Sequence, residues 1–337
     1  MNKLTKLGVS ALCGSLAAVS AANAGDLTVT GGVDMSWISF DDEATGNPLG
    51  MGSNISFAGS GELDNGWSVA FGLDNTNTQT FSNARVTVGI PGLGDVRVDM
   101  GLSGTGIDRM DDMTPTAWEE AYGAGLGSGI DTVAGNSAGA GIEITPTDLM
   151  PSGVVTRFFW TPDQSGSNAG DKASAANEGI TDSGYDLTVE LSGDATPDGL
   201  TVYGGYAATD QHQNGTAIND DITEWTAGIK YAVGAFTLGY QVSEEDNGRA
   251  TTTTGYDNTG YGIVFAVNDD LSISYNNYES DQQGTTETKA EASSVQIAYS
   301  MGGLSVRLAE QTVDNKNYST AAADDRDATT LSVALAF

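Results

Sequence analysis

Apolar residues alternate with polar or small ones in short runs along almost the whole chain, the two-residue period of strands with two unlike faces. The first run places Leu27, Val29, Val33, Met35 and Trp37 on one face and Thr28, Thr30, Asp34 and Ser36 on the other. Ile55, Phe57 and Leu63 then oppose Asn54, Ser56, Ser60 and Glu62. The turn Asp64-Asn65-Gly66 reverses the chain, and Trp67, Val69, Phe71 and Leu73 continue the apolar face opposite Ser68 and Asp74. Sixteen such runs are predicted, at 27–40, 51–63, 67–74, 83–90, 96–101, 138–145, 153–161, 184–192, 200–208, 222–232, 236–243, 258–267, 271–278, 292–300, 304–311 and 328–337.

The connections carry as much information as the strands. Short turns such as 91–95, Val233-Gly234-Ala235, Asn268-Asp269-Asp270 and Met301-Gly302-Gly303 alternate with long polar loops, the longest at 102–137. Short turns on one rim and long loops on the other are the pattern of a transmembrane β-barrel. A soluble sandwich also alternates, but sixteen up-and-down strands in a strict short-long rhythm fit closure better. A closed barrel satisfies every backbone group inside lipid and leaves no open edge. The fold class is therefore all-β, a 16-stranded antiparallel barrel spanning 25–337.

The first 24 residues read as an export leader: Lys3 and Lys6 form a basic front, Leu7 to Val19 an apolar run, and Ala22-Asn23-Ala24 a small-residue cleavage site before Gly25. No stretch reaches the ~20 apolar residues of a spanning helix. Cys13, the only cysteine, departs with the leader, so no disulfide framework remains. Loss of Lys3 and Lys6 takes the 13 basic residues to 11 against 45 acidic ones, a formal charge of −34. That balance excludes nucleic acid as a partner, because binding phosphates needs a basic face. Forty-five glycines and seven prolines suit many tight turns.

Three stretches resemble the general porins of Gram-negative bacteria, the Rhodobacter-like group in particular. They are the hairpin 61–71, the segment Ala84-Arg85-Val86-Thr87-Val88-Gly89-Ile90 with Asp95-Val96-Arg97-Val98 after its turn, and the ending Leu331-Ser332-Val333-Ala334-Leu335-Ala336-Phe337. The resemblance covers the mature chain. It implies an outer-membrane homotrimer in which Phe337 is part of the signal read by the barrel-assembly machinery. It also implies a third external loop, here 102–137, that folds inward and narrows the channel. One departure is that many porins carry an Arg just after strand five, where this chain has Asp99-Met100-Gly101-Leu102.

Candidate chemistry is sparse. His212 is the sole histidine and lies in a polar loop, so no catalytic constellation forms around it and an enzyme is not expected. Trp37, Trp67, Trp160, Trp225, Tyr231, Tyr240, Tyr261, Tyr275, Tyr299 and Phe337 fall on the apolar face, suited to aromatic girdles at the membrane interfaces. Arg85, Arg97, Arg157, Lys230 and Arg307 fall on the other face, since a charge facing lipid costs about 2–4 kcal/mol near the midplane. Inward acids number eight: Asp34, Glu62, Asp74, Asp99, Glu143, Asp186, Glu190 and Glu224.

The pore-lining candidates are Arg85, Arg97 and Arg157 on the strands, with Asp108, Arg109, Asp111, Asp112, Glu119 and Glu120 on the long loop, which also carries Asp131. A lumen lined by excess acid concentrates cations, so cation selectivity is expected; three arginines crowding the narrowest point would favour anions instead. Acid clusters Asp41-Asp42-Glu43, Asp220-Asp221, Glu244-Glu245-Asp246 and Asp324-Asp325 are placed in external loops as solvated charge. Such oxygen-rich clusters also suit Ca²⁺, although no EF-hand or nonapeptide repeat is present; no other cofactor is implied. The expected function is passive diffusion of ions and small hydrophilic solutes. The rival readings are a substrate-specific channel for a sugar or organic acid, and a secreted calcium-binding adhesin.

Overall fold

The computed structural model describes residues 27–41, 46–77, 83–100, 104–164, 180–212, 218, 220–249, 253–284 and 287–337. The leader 1–24 with its cleavage point at Gly25, and Asp42, Glu43, Gly101 and Leu102, lie outside these. Sixteen strands form: β1 (Leu27–Phe40), β2 (Leu49–Glu62), β3 (Ser68–Thr76), β4 (Asn83–Ile90), β5 (Gly94–Asp99), β6 (Gly141–Thr145), β7 (Val154–Thr161) and β8 (Thr181–Leu191) in the first half. The second half adds β9 (Leu200–Gln211), β10 (Ile222–Val233), β11 (Phe236–Asp246), β12 (Thr253–Ala266), β13 (Leu271–Gly284), β14 (Thr288–Met301), β15 (Leu304–Asp314) and β16 (Arg326–Ala336).

Each strand pairs antiparallel with its sequence neighbours, and β1 pairs with β16 from Gly32↔Ala336 to Phe40↔Ala328, closing the barrel. Beyond the last register pair, Gly31 and Phe337 exchange both backbone hydrogen bonds at 2.9 Å. The ring of Phe337 lies over Gly31, where a Cβ would stand 3.2 Å from it. Tight turns use glycines at positive φ, as at Gly66 (82°) and Gly234 (62°), a region that costs a side-chain-bearing residue more.

The alternation resolves as expected. Leu27, Trp37, Trp67, Phe71, Trp160, Trp225, Tyr231, Tyr240, Tyr261, Tyr275 and Tyr299 stand exposed on the outer face, together with Leu49, Met51 and Met301. Their inward neighbours are polar: Thr188, Thr226, Gln241, Ser274, Asn276, Gln296, Gln311 and Ser332 are buried within the lumen. Burial of polar residues and exposure of apolar ones is the inverse of a soluble fold, and it matches an apolar band facing lipid around a hydrated interior.

Strands of the second half extend further at the long-loop rim than the alternation marks. β11, β13 and β15 run three to six residues past the sequence-based limits at the long-loop rim, and β12 and β14 begin earlier. The cluster Glu244-Glu245-Asp246 accordingly belongs to β11 rather than to a loop. Above the membrane both faces of a strand are polar, so the hydrophobic alternation stops while the hydrogen-bond ladder continues. At the other extreme β6 begins at Gly141 rather than 138, because Asn136 and Gly139 close a turn of the long loop (Gly139 N–H to Asn136 O, 3.1 Å).

Candidate site inside the barrel

The long loop between β5 and β6 lies against the inner wall. Its first limb contains a short 3₁₀ turn, Gly106–Met110, packed against β7 to β10. The chain then crosses β11 and β12 at Pro115, β13 at Ala117, and β14 at Trp118 and Glu119. Ala121 and Leu126 reach a small apolar cluster with Ala292, Val313 and Ala328, against which Ile38, Phe40, Tyr122 and Ile130 pack. The return limb meets Tyr318 and Asn258 at Asp131, then β10 and β8 at residues 134–136.

Inward glutamines hold this path by gripping main chain. Gln241 accepts from Met113 N–H and donates to the carbonyls of Met110 and Asp111 (2.7 and 2.9 Å). Gln296 accepts from Trp118 and Glu119 N–H and donates to Glu119 O. Gln311 accepts from Leu126 N–H and donates to the carbonyls of Ala121 and Leu126. An amide carries both a donor and an acceptor, so one glutamine satisfies backbone groups that an irregular segment would otherwise bury unpaired. Tyr278 adds a hydroxyl bond to Asp111 O at 2.9 Å.

The wall beneath the loop is made of small residues. Ala290, Ala292, Ala309 and Ala328 are fully buried there. A Cβ on Gly239 or Gly262 would collide with Pro115, one on Gly260 with the ring of Tyr278, and one on Gly184 with the amide of Asn136. These inward glycines and alanines, on β8 to β16, form a bed that lets backbone approach backbone.

The predicted site residues separate into paired and facing groups. Arg85 donates to Asp74 (2.7 Å), Arg97 pairs with Asp99, and Arg109 of the loop binds both oxygens of Glu143 (2.6 and 2.7 Å). Arg157 lies beside Arg109, with Glu143 and Glu190 as its acidic neighbours. The basic groups that meet the loop acids are two of the five inward bases that are not among the named constriction residues, although a transverse field between such bases and an acidic loop is one reading of the pattern. Arg307 faces Glu119 while bonded to Asp34 (2.9 Å) and lies 5.8 Å from the Trp118 ring centre. Lys230 has Asp112 and Glu190 as its acidic neighbours and sits 5.9 Å from the Tyr203 ring centre. Their inward register was the available sequence signal; the loop's route past β10 and β15 was not.

Asp108, Asp111, Asp112, Glu119 and Glu120 gather along the same stretch, each within electrostatic reach of Asp112 or its neighbours. Burial, reinforced by the adjacent charges of Asp112, Asp108 and Glu120, pushes the Asp111 carboxyl up to about 9. Burial beside Asp112 raises Glu120 to about 8. Glu119 and Asp108 are also raised by burial, opposed by Arg307 in the first case and by the Gly104 N–H in the second. Carboxyls crowded in this way share protons rather than all ionise.

The simple count of eight lumen acids against five bases is therefore corrected. Asp34, Asp74, Asp99 and Glu143 are each matched by an arginine. Asp186 and Glu224 are occupied by N–H groups of the loop. His212 contacts Asp182 at 2.9 Å at the surface, which bears out its reading as a loop residue. Among the described residues no group of three or more His, Cys, Asp or Glu stands where it could hold a metal ion, so the calcium expectation finds no support.

Comparison with known proteins gives a consistent result. The family model for Gram-negative porins matches residues 8–337. OmpF of Salmonella typhi, solved in complex with daunomycin, superposes with a TM-score of 0.71 at 13% identity, covering 93% of this chain and 98% of that one. The anion-selective porin of Comamonas acidovorans gives 0.67 at 14% identity over 93% and 100%. A mutant of the Rh. blastica porin gives 0.58 at 16% identity over 93% and 100%. No curated protein sequence matches the chain.

Proposed function

The chain belongs to the Gram-negative porins, and on that premise we propose that its pore is narrowed by the loop 102–137 and is weakly cation-selective at neutral pH. It is an outer-membrane β-barrel channel for passive diffusion, and its family is not enzymatic. Membership of a channel family leaves the secreted adhesin without support, and among the described residues nothing in the lumen favours one sugar or organic acid.

The observation that carries the constriction reading is the loop's course along the inner wall, which brings Asp108, Asp111, Asp112, Glu119 and Glu120 inside the barrel opposite Lys230 and Arg307. A fixed charge acts most strongly where the water-filled path is narrow, since salt screens more distant groups within ~10 Å at 0.1 M. Arg85, Arg97 and Arg109 are neutralised by their partners and contribute less there. With Arg307 paired to Asp34, the remaining acids outnumber Lys230 and Arg157, but Asp111 and Glu120 largely keep their protons at neutral pH. The net preference for cations is accordingly modest.

Cleavage of a leader before Gly25 and homotrimer assembly complete the proposal. Small outward residues Gly31 and Gly59 on the adjoining β1 and β2, with exposed Leu27, Leu49 and Met51, support a packed face between copies, whereas Gly204 lies on β9 across the barrel. Phe337 is exposed on the outer face, which supports its reading as part of a signal for the barrel-assembly machinery. The test is single-channel recording in planar bilayers: deletion of 112–130 raises conductance in a correctly assembled channel. Unchanged conductance would move the constriction elsewhere.

A further inference from the structure

Buried carboxylates of the barrel wall meet the two limbs of the long loop where they leave the sheet. Glu143 on β6, Asp186 on β8 and Glu224 on β10 are 4%, 0% and 6% exposed. Glu143 accepts from Gly106 N–H (3.1 Å) and from Arg109. Glu224 accepts from Ala134 and Gly135 N–H (2.7 and 2.9 Å). Asp186 joins the limbs: one oxygen accepts from Ile107 N–H of the outgoing limb (2.9 Å) and from Asn136 N–H of the returning limb (3.3 Å). Its other oxygen accepts from the Asn136 side chain at 2.6 Å.

The loop's sequence is shaped to these acceptors. Gly106 and Gly135 both have φ of +55°, and a Cβ on either would run into the Asp186 carboxylate. Successive N–H groups around a left-handed residue form a concave nest that binds an anion, and here each limb presents one to the wall. Asn136 is fully buried in a socket that exists because position 184 is glycine. Its amide also donates to Ala208 O, and its oxygen accepts from Thr209 (2.8 Å).

We propose that Asp186 is the positioning residue of the constriction: it clamps the outgoing and returning limbs together, with Glu143 and Glu224 as flanking tethers, and so sets the width of the pore without lining it. This rests on the reading of 102–137 as the constriction. Charge-assisted bonds to backbone N–H are roughly twice as strong as neutral ones, and Asp186 is the carboxylate that holds both limbs at once. The wall acids then act on conductance through the loop, whereas the loop's own acids act on ion preference directly.

The experiment compares the full-length channel, Asp186→Asn, Gly135→Val and the 112–130 deletion in planar bilayers, with heat-modifiable mobility in SDS gels as the check on assembly. Gly135→Val lies in the loop, outside every strand, and decides the matter if Asp186→Asn fails to assemble. The expected result is that both variants raise open-channel conductance by at least half of the rise produced by the deletion, with greater current noise as the limbs move apart. A shift in reversal potential at unchanged conductance would make Asp186 a pore charge and overturn the proposal. Wild-type conductance and noise in assembled variants, with the deletion still raising conductance, would overturn it while leaving the constriction intact. Unchanged conductance in the deletion as well would remove the constriction reading and this proposal together.

Discussion

Raising the pH from about 7 to about 9.5 should strengthen the preference for cations, with Asp111 and Glu120 as the main contributors on the loop. Asp111 and Glu120 lie at about 9 and about 8, so at pH 7 about a hundredth of the first and about a tenth of the second is ionised. A raised carboxyl is protonated below its pKa and gains negative charge as pH rises through it, so the added charge favours K⁺. Burial pushes Tyr122 up, so its phenol stays neutral across this window. Two unit charges ~8 Å from a permeating ion in water contribute about 1 kcal/mol, reduced to about half that by screening at 0.1 M salt. K⁺ gains what Cl⁻ loses, so the permeability ratio rises by at most about fivefold. The rise should be larger at 0.01 M, where the screening length is ~30 Å. The assay is the reversal potential under a KCl gradient, stepped through pH on one membrane. Asp111→Asn with Glu120→Gln should remove most of the step while leaving a channel. A flat reversal potential across the window in the unaltered protein would refute the placement of these carboxyls beside the ion path. So would a step of undiminished size in the double variant.

Other consequences can be checked separately. Arg307→Gln removes a guanidinium that faces Glu119 of the loop as well as its 2.9 Å partner Asp34, so it should move the reversal potential further toward K⁺ than Arg97→Gln, which removes a charge paired with the wall residue Asp99. Gly239→Val would drive a side chain into Pro115; it should displace the loop and alter conductance while the assembled barrel keeps its heat-modifiable mobility. Intact mass of the outer-membrane form should correspond to a chain beginning at Gly25, and retention of 1–24 would refute the leader assignment. Unheated samples should migrate in mild SDS as a large species that heat dissociates, whereas a monomeric mass in native detergent would count against the trimer.

The barrel itself was readable from the sequence because its cause is local. A strand between lipid and water must alternate with period two, and Leu27 through Trp37 or Trp225 through Tyr231 do so without reference to any distant residue. Turn glycines such as Gly66 and Gly234 mark the reversals for an equally local reason, their positive φ. The inward facing of Arg85, Arg97, Arg157, Lys230 and Arg307 followed from the same periodicity, since a one-residue slip would turn every charge into lipid.

What the periodicity leaves open is which groups meet across the lumen. Arg307 and Asp34 are 273 positions apart and meet because β15, β16 and β1 adjoin at the barrel's closure. Lys230 and Arg307 face the loop acids because the loop travels from β6 around to β1, a course fixed by Gln241, Gln296 and Gln311 and by the glycine bed under Pro115. Composition counted eight inward acids as pore charge; the fold matches four with arginines and commits Asp186 and Glu224 to loop N–H groups. Alternation along a strand says only which face a side chain occupies. Partnership across the pore depends on how sixteen strands close and on where one long irregular segment finds partners for its buried backbone, and only the tertiary structure decides those.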